Sequence, residues 1–168
     1  VVIPAYNEAE VILGCIASVL RSDYPHLNVV VVDDGSTDGT AEKVRAGYGD
    51  DPRVMLIGER NQCKWKALDT AYTQLDTEIV VAVDADSLLM PDAIRKLVRA
   101  FRDPAGGAVA GKVAIGNAHS FLTRLQALEY ITAQNIDRRA AEVFNGMLVV
   151  PGAIGAWRTE AVRKAGLY

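Results

Sequence analysis

Cysteine is scarce in this sequence: only Cys15 and Cys63 occur in 168 residues, far apart and with no cluster of histidines or further cysteines around them. That excludes a disulfide scaffold and a thiolate zinc site, and it fits a reducing, cytosolic setting. The two histidines, His26 and His119, stand alone, without partners at metal-ligand spacing. Lys and Arg gather nowhere into a stripe, and 18 basic against 21 acidic residues leave a formal charge of -3. Nucleic acid is therefore excluded as a partner. No run approaches the roughly 20 apolar residues of a membrane span. No Gly-x-Gly-x-x-Gly follows the first apolar run, and no Gly-x-x-x-x-Gly-Lys-Ser/Thr occurs. Dinucleotide cofactors and P-loop chemistry thus lack support.

Half of the residues are hydrophobic, enough for one sizeable core without staples, so residues 1–168 are expected to form a single domain. The opening Val1-Val2-Ile3-Pro4 reads as the inside of a strand rather than a start or a leader, and Ala165 to Tyr168 follow a helix stop. The chain is accordingly expected to be part of a longer protein.

Strand and helix signals alternate along the chain. Val1 to Pro4 is a short apolar run, and Asn7-Glu8 can cap a helix with Val11, Ile12, Cys15, Ile16 and Val19 on one stripe. Cys15 on that stripe reads as core. Asn28 to Val32 is a continuous β-branched run, after which Thr37-Asp38 opens a second helix that fades near Gly47. Further strands are expected at Val54 to Ile57 and Ile79 to Val83, with helices over Lys64 to Leu75 and Pro91 to Phe101. Strands without alternation are buried on both faces, and their alternation with helices implies a parallel sheet: the fold class is α/β. Beyond the Gly-rich break at Asp103 to Gly107, a strand is expected over Ala108 to Ile115. A long helix follows from about 118 to 143, packed on the sheet or lying at a membrane surface. A strand over Met147 to Val150 and a short helix capped by Thr159 and stopped by Gly166 complete the pattern.

Acidic residues collect where the apolar runs end, which is where open parallel sheets bind ligands. Glu8 follows the first strand, Asp33 and Asp34 the second, Asp84 and Asp86 the fourth. In Val83-Asp84-Ala85-Asp86 two carboxylates one residue apart suit a hard cation, Mg²⁺ or Mn²⁺, that keeps waters and completes its shell with phosphates. The same residues also suit an ordinary strand-to-helix turn. Asp33-Asp34-Gly35-Ser36-Thr37-Asp38-Gly39-Thr40 serves equally as a helix cap or as acceptors for a uracil ring and ribose hydroxyls. Lys64, at the start of a helix after Arg60-Asn61-Gln62-Cys63, adds charge and backbone donors for a phosphate.

Taken together, Val-Val-Ile-Pro-Ala-Tyr-Asn-Glu, Val-Val-Asp-Asp-Gly-Ser-Thr-Asp-Gly-Thr, the Asn61/Lys64/Ala67-Leu68 segment and Val-Asp-Ala-Asp-Ser resemble the family-2 glycosyltransferases in order and spacing. Pro151-Gly152-Ala153-Ile154-Gly155-Ala156-Trp157-Arg158 resembles the processive branch, which makes poly-N-acetylglucosamine, chitin, hyaluronan and cellulose. The resemblance implies a GT-A fold with a Rossmann-like, mostly parallel central sheet, a UDP-sugar donor, a divalent metal and inversion at the anomeric carbon. It further implies a nucleotide-sugar-binding half over 1–103 and the start of an acceptor-binding half over 104–168. By motif, Ala5, Tyr6 and Glu8 would line the nucleoside, Asp34 the uracil and Lys64 the diphosphate. Asp84 would lie near donor sugar or diphosphate, and Asp86 would ligate the metal. A loop at Gly152 to Trp157, including Gly155, would shape the polysaccharide acceptor end, or else form a tight turn with Trp157 as core.

Two departures from the family stand out. Cys63 occupies the place where the family often has glycine before the lysine. The family's catalytic aspartate and its later Gln-x-x-Arg-Trp motif would lie beyond Tyr168, so the chain by itself is expected to transfer sugar slowly or not at all. The resemblance places the whole enzyme in a membrane, with this part at the cytoplasmic face and N-acetylglucosamine as the sugar. A sugar nucleotidyltransferase and a non-catalytic nucleotide-binding domain of the same fold are the alternatives.

Overall fold

In the computed structural model of the chain, residues 1–58, 63–114, 116, 150 and 152–167 are described, Lys64 by its backbone alone. The apolar runs form strands β1 (Val2–Ala5), β2 (Val29–Asp33), β3 (Val54–Gly58) and β4 (Ile79–Val83). Between and after them lie helices α1 (Ile12–Leu20), α2 (Thr40–Tyr48), α3 (Lys64–Gln74) and α4 (Ala93–Ala100). Strands β5 (Ala108–Ala110) and β6 (Ile154–Arg158) and helix α5 (Thr159–Ala165) complete the described elements. Gly166 ends α5 at φ 96°, the left-handed stop that glycine adopts without a Cβ penalty.

The six strands form one sheet in the order β3-β2-β1-β4-β6-β5. β1, β2, β3 and β4 are mutually parallel, whereas β6 runs antiparallel to both β4 and β5. Because side chains alternate across a strand, the sheet feeds two cores. Ile3, Val29, Val31, Val81 and Val83 pack against α1, α2 and α4 through residues such as Ile12, Ile16, Val44, Ile94 and Leu97. Val2, Val30, Val32, Val80 and Ala82 pack against α3 and α5 through Ala67, Leu68, Ala71, Tyr72 and Val162. Burial on both faces explains why β2 and β4 read as unbroken apolar runs.

The chain reverses its direction of travel across the sheet between β1 and β4: β2 and β3 are laid down on one side of β1, β4 on the other. The helix after β3 consequently lies on the opposite face from the two before it, as right-handed crossovers require. The carboxyl ends of β1 and β4 therefore border a crevice, the position where doubly wound sheets take ligands.

Several expectations change. The strand expected over Ala108 to Ile115 ends at Ala110, and Thr159 does not cap α5 but is its first residue, following Arg158. Asn7 and Glu8 do not cap α1, which begins at Ile12 with Val11 before it. They are engaged instead with the β2–α2 turn. Helix α2 begins at Thr40 rather than at Thr37-Asp38, because Asp38 turns back to accept from the Thr40 N–H at 3.0 Å. The segment Gly152 to Trp157 is not a loop, since residues from Ile154 onward form β6. Its strand signal is weak because Gly155 and Ala156 are small residues that favour strands little by themselves, yet they alternate across the two cores. The long helix over 118–143, residues 147–149 of the expected last strand, and residues 60–62 lie outside the described residues. Val150 is described and lies in no strand.

Candidate donor-binding crevice

The crevice at the switch point is a cavity of about 250 Å³ lined by Pro4, Ala5, Tyr6, Glu8, Asp34, Ala67, Asp84, Ala85 and Asp86. Residues from three strand ends thus meet. Ala5 closes β1 beside Asp33 of β2, and the Asp34 N–H donates to the Ala5 carbonyl at 2.9 Å, which draws the two ends together. Tyr6 is 48% exposed and stands at the rim, while Asp34 is almost wholly buried. A carboxylate oxygen of Asp34 accepts from the Cys63 N–H at 2.9 Å, bringing the start of α3 to the same place. Lys64 is the first residue of that helix; its side chain lies outside the described atoms.

Behind the crevice, α1 braces the β4–α4 turn. The Cys15 thiol lies 3.6 Å from the Asp84 carbonyl, and the buried Ser18 hydroxyl donates to the Cys15 carbonyl while accepting from the Leu89 N–H at 3.0 Å. On the other flank the Asp84 N–H donates to the Ala153 carbonyl at 3.2 Å. Because β6 is antiparallel to β4, its beginning lies beside the crevice and its far end at the opposite edge.

Ala153 therefore borders Asp84, with Gly152 just before it in the chain, whereas β6 carries Gly155 and Trp157 away. Gly155 pairs with Ala82 and Trp157 with Val80, and Trp157 packs against the core shared by α3 and α5. A Cβ on Gly155 would overlap the Trp157 ring and Val150. Close packing under an aromatic ring, rather than a turn, is what this glycine permits.

Electrostatically the crevice is a crowd of carboxylates. Burial pushes the Glu8 carboxyl above the ordinary glutamate range, and the charges of Asp86, Asp38 and Asp84 push it further. Burial, with Asp86 and Asp84 adding to it, raises the Cys15 thiol to about 12. Asp38 moves the other way, lowered first by the Thr40 hydroxyl and then by the Ala9 N–H. Among the described residues, no three His, Cys, Asp or Glu side chains converge on a single point. The carboxylate donors available are the four acids that share the cavity wall, Glu8, Asp34, Asp84 and Asp86. Among those residues, too, no helix is long and apolar enough to cross a membrane.

The links that hold these acids in place escape a reading of the sequence. Asp38, Thr40 and Lys43 reach the β1–α1 turn from 29 to 34 residues away. The one signal of them is the run of hydroxyl and acid side chains in Ser36-Thr37-Asp38-Gly39-Thr40.

A doubly wound, mostly parallel sheet with an acidic crevice at its switch point is the GT-A class of α/β fold. The model for "Glycosyl transferase family 2" matches residues 1–166, and the chain belongs to that family. It is 37% identical over 167 residues to an N-acetylglucosaminyltransferase of Rhizobium leguminosarum bv. viciae, covering 96% of this chain and 39% of that protein. It is 28% identical over 164 residues to the poly-beta-1,6-N-acetyl-D-glucosamine synthase of Staphylococcus epidermidis, covering 97% of this chain and 40% of the other. Among solved structures, a mannosyltransferase of Pyrobaculum calidifontis in complex with GDP-Man and Mn²⁺ superposes with a TM-score of 0.75 at 30% identity, over 99% of this chain and 46% of that one. S. aureus TarS superposes with a TM-score of 0.74 at 18% identity, over 99% and 48%, and shares the fold. The chain spans about two fifths of the length of the curated relatives it matches.

Proposed function

We propose that the chain is the donor-binding part of an inverting, metal-dependent glycosyltransferase that moves N-acetylglucosamine from a UDP-sugar to a growing polysaccharide. The observation that carries this reading is the single crevice into which Ala5, Tyr6, Glu8, Asp34, Asp84 and Asp86 converge from three strand ends. The choice of sugar is supported by the names of the relatives, and the choice of a metal by the Mn²⁺ in the mannosyltransferase complex.

In this reading residues 1–103 bind the nucleotide-sugar and 104–168 begin the acceptor side. Ala5, Tyr6 and Glu8 line the nucleoside, Asp34 orients the uracil, and Lys64 with the start of α3 receives the diphosphate. Gly152, which precedes the Ala153 that bonds Asp84, would face the acceptor end. Gly155 and Trp157 support that end through β6. The donor set fits Mg²⁺ or Mn²⁺: all-oxygen ligands, in a wall where Glu8 already feels the charges of Asp84 and Asp86. Asp86 would hold the ion with Asp84 near the donor sugar, and the ion would supply positive charge where the departing diphosphate gains negative charge. The acceptor hydroxyl must lose its proton as it attacks, and that base is assigned to the remainder of the protein. The whole enzyme is placed at the cytoplasmic face of a membrane, where a polysaccharide under construction is its acceptor.

The test is calorimetric titration of UDP and UDP-N-acetylglucosamine into the chain, with and without Mn²⁺, for the parent and for Asp86→Ala. Metal-dependent binding by the parent that disappears in the variant is the expected result. Binding that needs no metal and survives Asp86→Ala would point to a non-catalytic nucleotide-binding domain instead.

A further inference from the structure

We infer that Asp38 and Thr40 are positioning residues that clamp the backbone of Glu8 and Ala9 and so hold the β1–α1 turn, with Tyr6 and Glu8, against the donor crevice. The inference rests on the nucleotide-sugar reading of that crevice and adds two residues that do not line it.

The clamp is a short circuit of hydrogen bonds. The Thr40 hydroxyl accepts from the Glu8 N–H at 2.9 Å and donates to one carboxylate oxygen of Asp38 at 2.5 Å. The other Asp38 oxygen accepts from the Ala9 N–H at 2.9 Å, and the Lys43 ammonium donates to the Ala9 carbonyl at 2.7 Å. Two consecutive N–H groups ahead of α1, which the helix itself cannot satisfy, are thereby met by side chains of the β2–α2 turn. One residue earlier, Asn7 sits at φ 57°, a left-handed conformation that asparagine tolerates. Its N–H donates to the Ser36 hydroxyl at 2.9 Å, and its side-chain oxygen accepts from the Thr37 N–H at 2.9 Å.

Why such a turn needs holding follows from its charge. Glu8 projects into a wall that already contains Asp84 and Asp86, and mutual repulsion favours any movement that swings it away. Thr40 is fully buried, so water cannot replace its hydroxyl once removed. Asp38 and Thr40 thus act on the donor through Glu8 and Tyr6, not by touching it.

The experiment measures UDP affinity in the presence of Mn²⁺ for the parent, Thr40→Val, Thr40→Ser, Glu8→Ala and the double variant Thr40→Val/Glu8→Ala, with thermal melts alongside. Thr40→Val keeps the branched shape and removes the hydroxyl. It is expected to weaken binding roughly tenfold, the worth of about one hydrogen bond of positioning. Thr40→Ser is expected to restore binding. Thr40→Val is expected to add little once Glu8 is already alanine, because a residue acting through Glu8 has nothing left to position. A purely structural role would lower the melting temperature while leaving affinity alone, or would make the two losses multiply, and either result overturns the inference. Should Thr40→Val not fold, Asp38→Asn removes the charge but keeps an acceptor, and unchanged UDP affinity in that variant is equally fatal. A parent chain that binds neither UDP nor Mn²⁺ would bring down the nucleotide-sugar reading and this inference with it. Binding by the parent with no effect of Thr40→Val would bring down the inference alone.

Discussion

The Cys63 N–H donates to an Asp34 carboxylate oxygen at 2.9 Å across 29 residues of sequence, and Cys63 makes that bond from a backbone φ of 116°. A side chain in this region of backbone space is strained; glycine is not. Asp34 at the end of β2 therefore fixes where α3 begins at the cost of a contorted cysteine. Cys63→Gly is expected to relieve the strain and, after the extra chain entropy of glycine, to stabilise the fold by about 1 kcal/mol. Urea unfolding of parent and variant checks this, and a lower midpoint for Cys63→Gly would refute it.

The two cysteines are expected to react very differently. Cys15 is fully buried on the inner stripe of α1 with its thiol raised to about 12, whereas Cys63 is exposed. At pH 8 a thiol of that kind is thiolate only about one time in ten thousand. Iodoacetamide followed by peptide mass spectrometry should place one adduct per native chain, on Cys63, and two in urea. Rapid labelling of Cys15 in the folded protein would mean that α1 opens away from the crevice.

Glu8 carries a cost that should be visible in the pH dependence of stability. Burial first, then Asp86, Asp38 and Asp84, raise its carboxyl above the ordinary value. The folded chain therefore holds this proton more tightly than the unfolded chain does. The associated stability is complete below the unfolded glutamate value near 4.3 and is lost as pH rises through the folded one. Glu8→Gln removes the charge and should melt higher than the parent at pH 7, with the gap closing as pH falls to about 4. Asp38 has the opposite sign. The Thr40 hydroxyl and the Ala9 N–H lower it, so its contribution is present at neutral pH and fades in acid. Asp38→Asn should melt lower than the parent at pH 7, with that gap also narrowing in acid. Melting curves of Glu8→Gln at pH 7 and about pH 4, and of Asp38→Asn at pH 7 and about pH 2, below the ordinary aspartate range, decide the matter.

Much of the fold and of the crevice is legible in the sequence. The runs at Val29 to Val32 and Ile79 to Val83 declare strands buried on both faces, and the acids Asp34, Asp84 and Asp86 just after them line the crevice at the sheet's carboxyl edge. How those acids are held is not legible, because the donors and acceptors of the Asp38, Thr40 and Asn7 network lie about 30 residues apart and use residue types that also make ordinary caps. The same ambiguity puts the expected start of α1 too early. Strand β6 is hidden for a different reason: its partners β4 and β5 are antiparallel to it, and its glycine and alanine carry little strand propensity of their own.

Gly155 and Trp157 provide the means to test whether that segment is a strand. They are two residues apart in β6, so they share a face, and the indole covers the place where a Gly155 side chain would begin. Gly155→Ala should therefore overpack this site and cost roughly 1–3 kcal/mol in urea unfolding. Trp157→Ala should also destabilise, since it withdraws the ring from the core beneath α3 and α5. The double variant should lose less than the sum of the two, because removing the ring vacates the space the new methyl needs; Val150, which also crowds the position, keeps the relief incomplete. If instead Gly155→Ala leaves stability unchanged, the ring does not lie over Gly155. The segment would then be the loop that its sequence suggests.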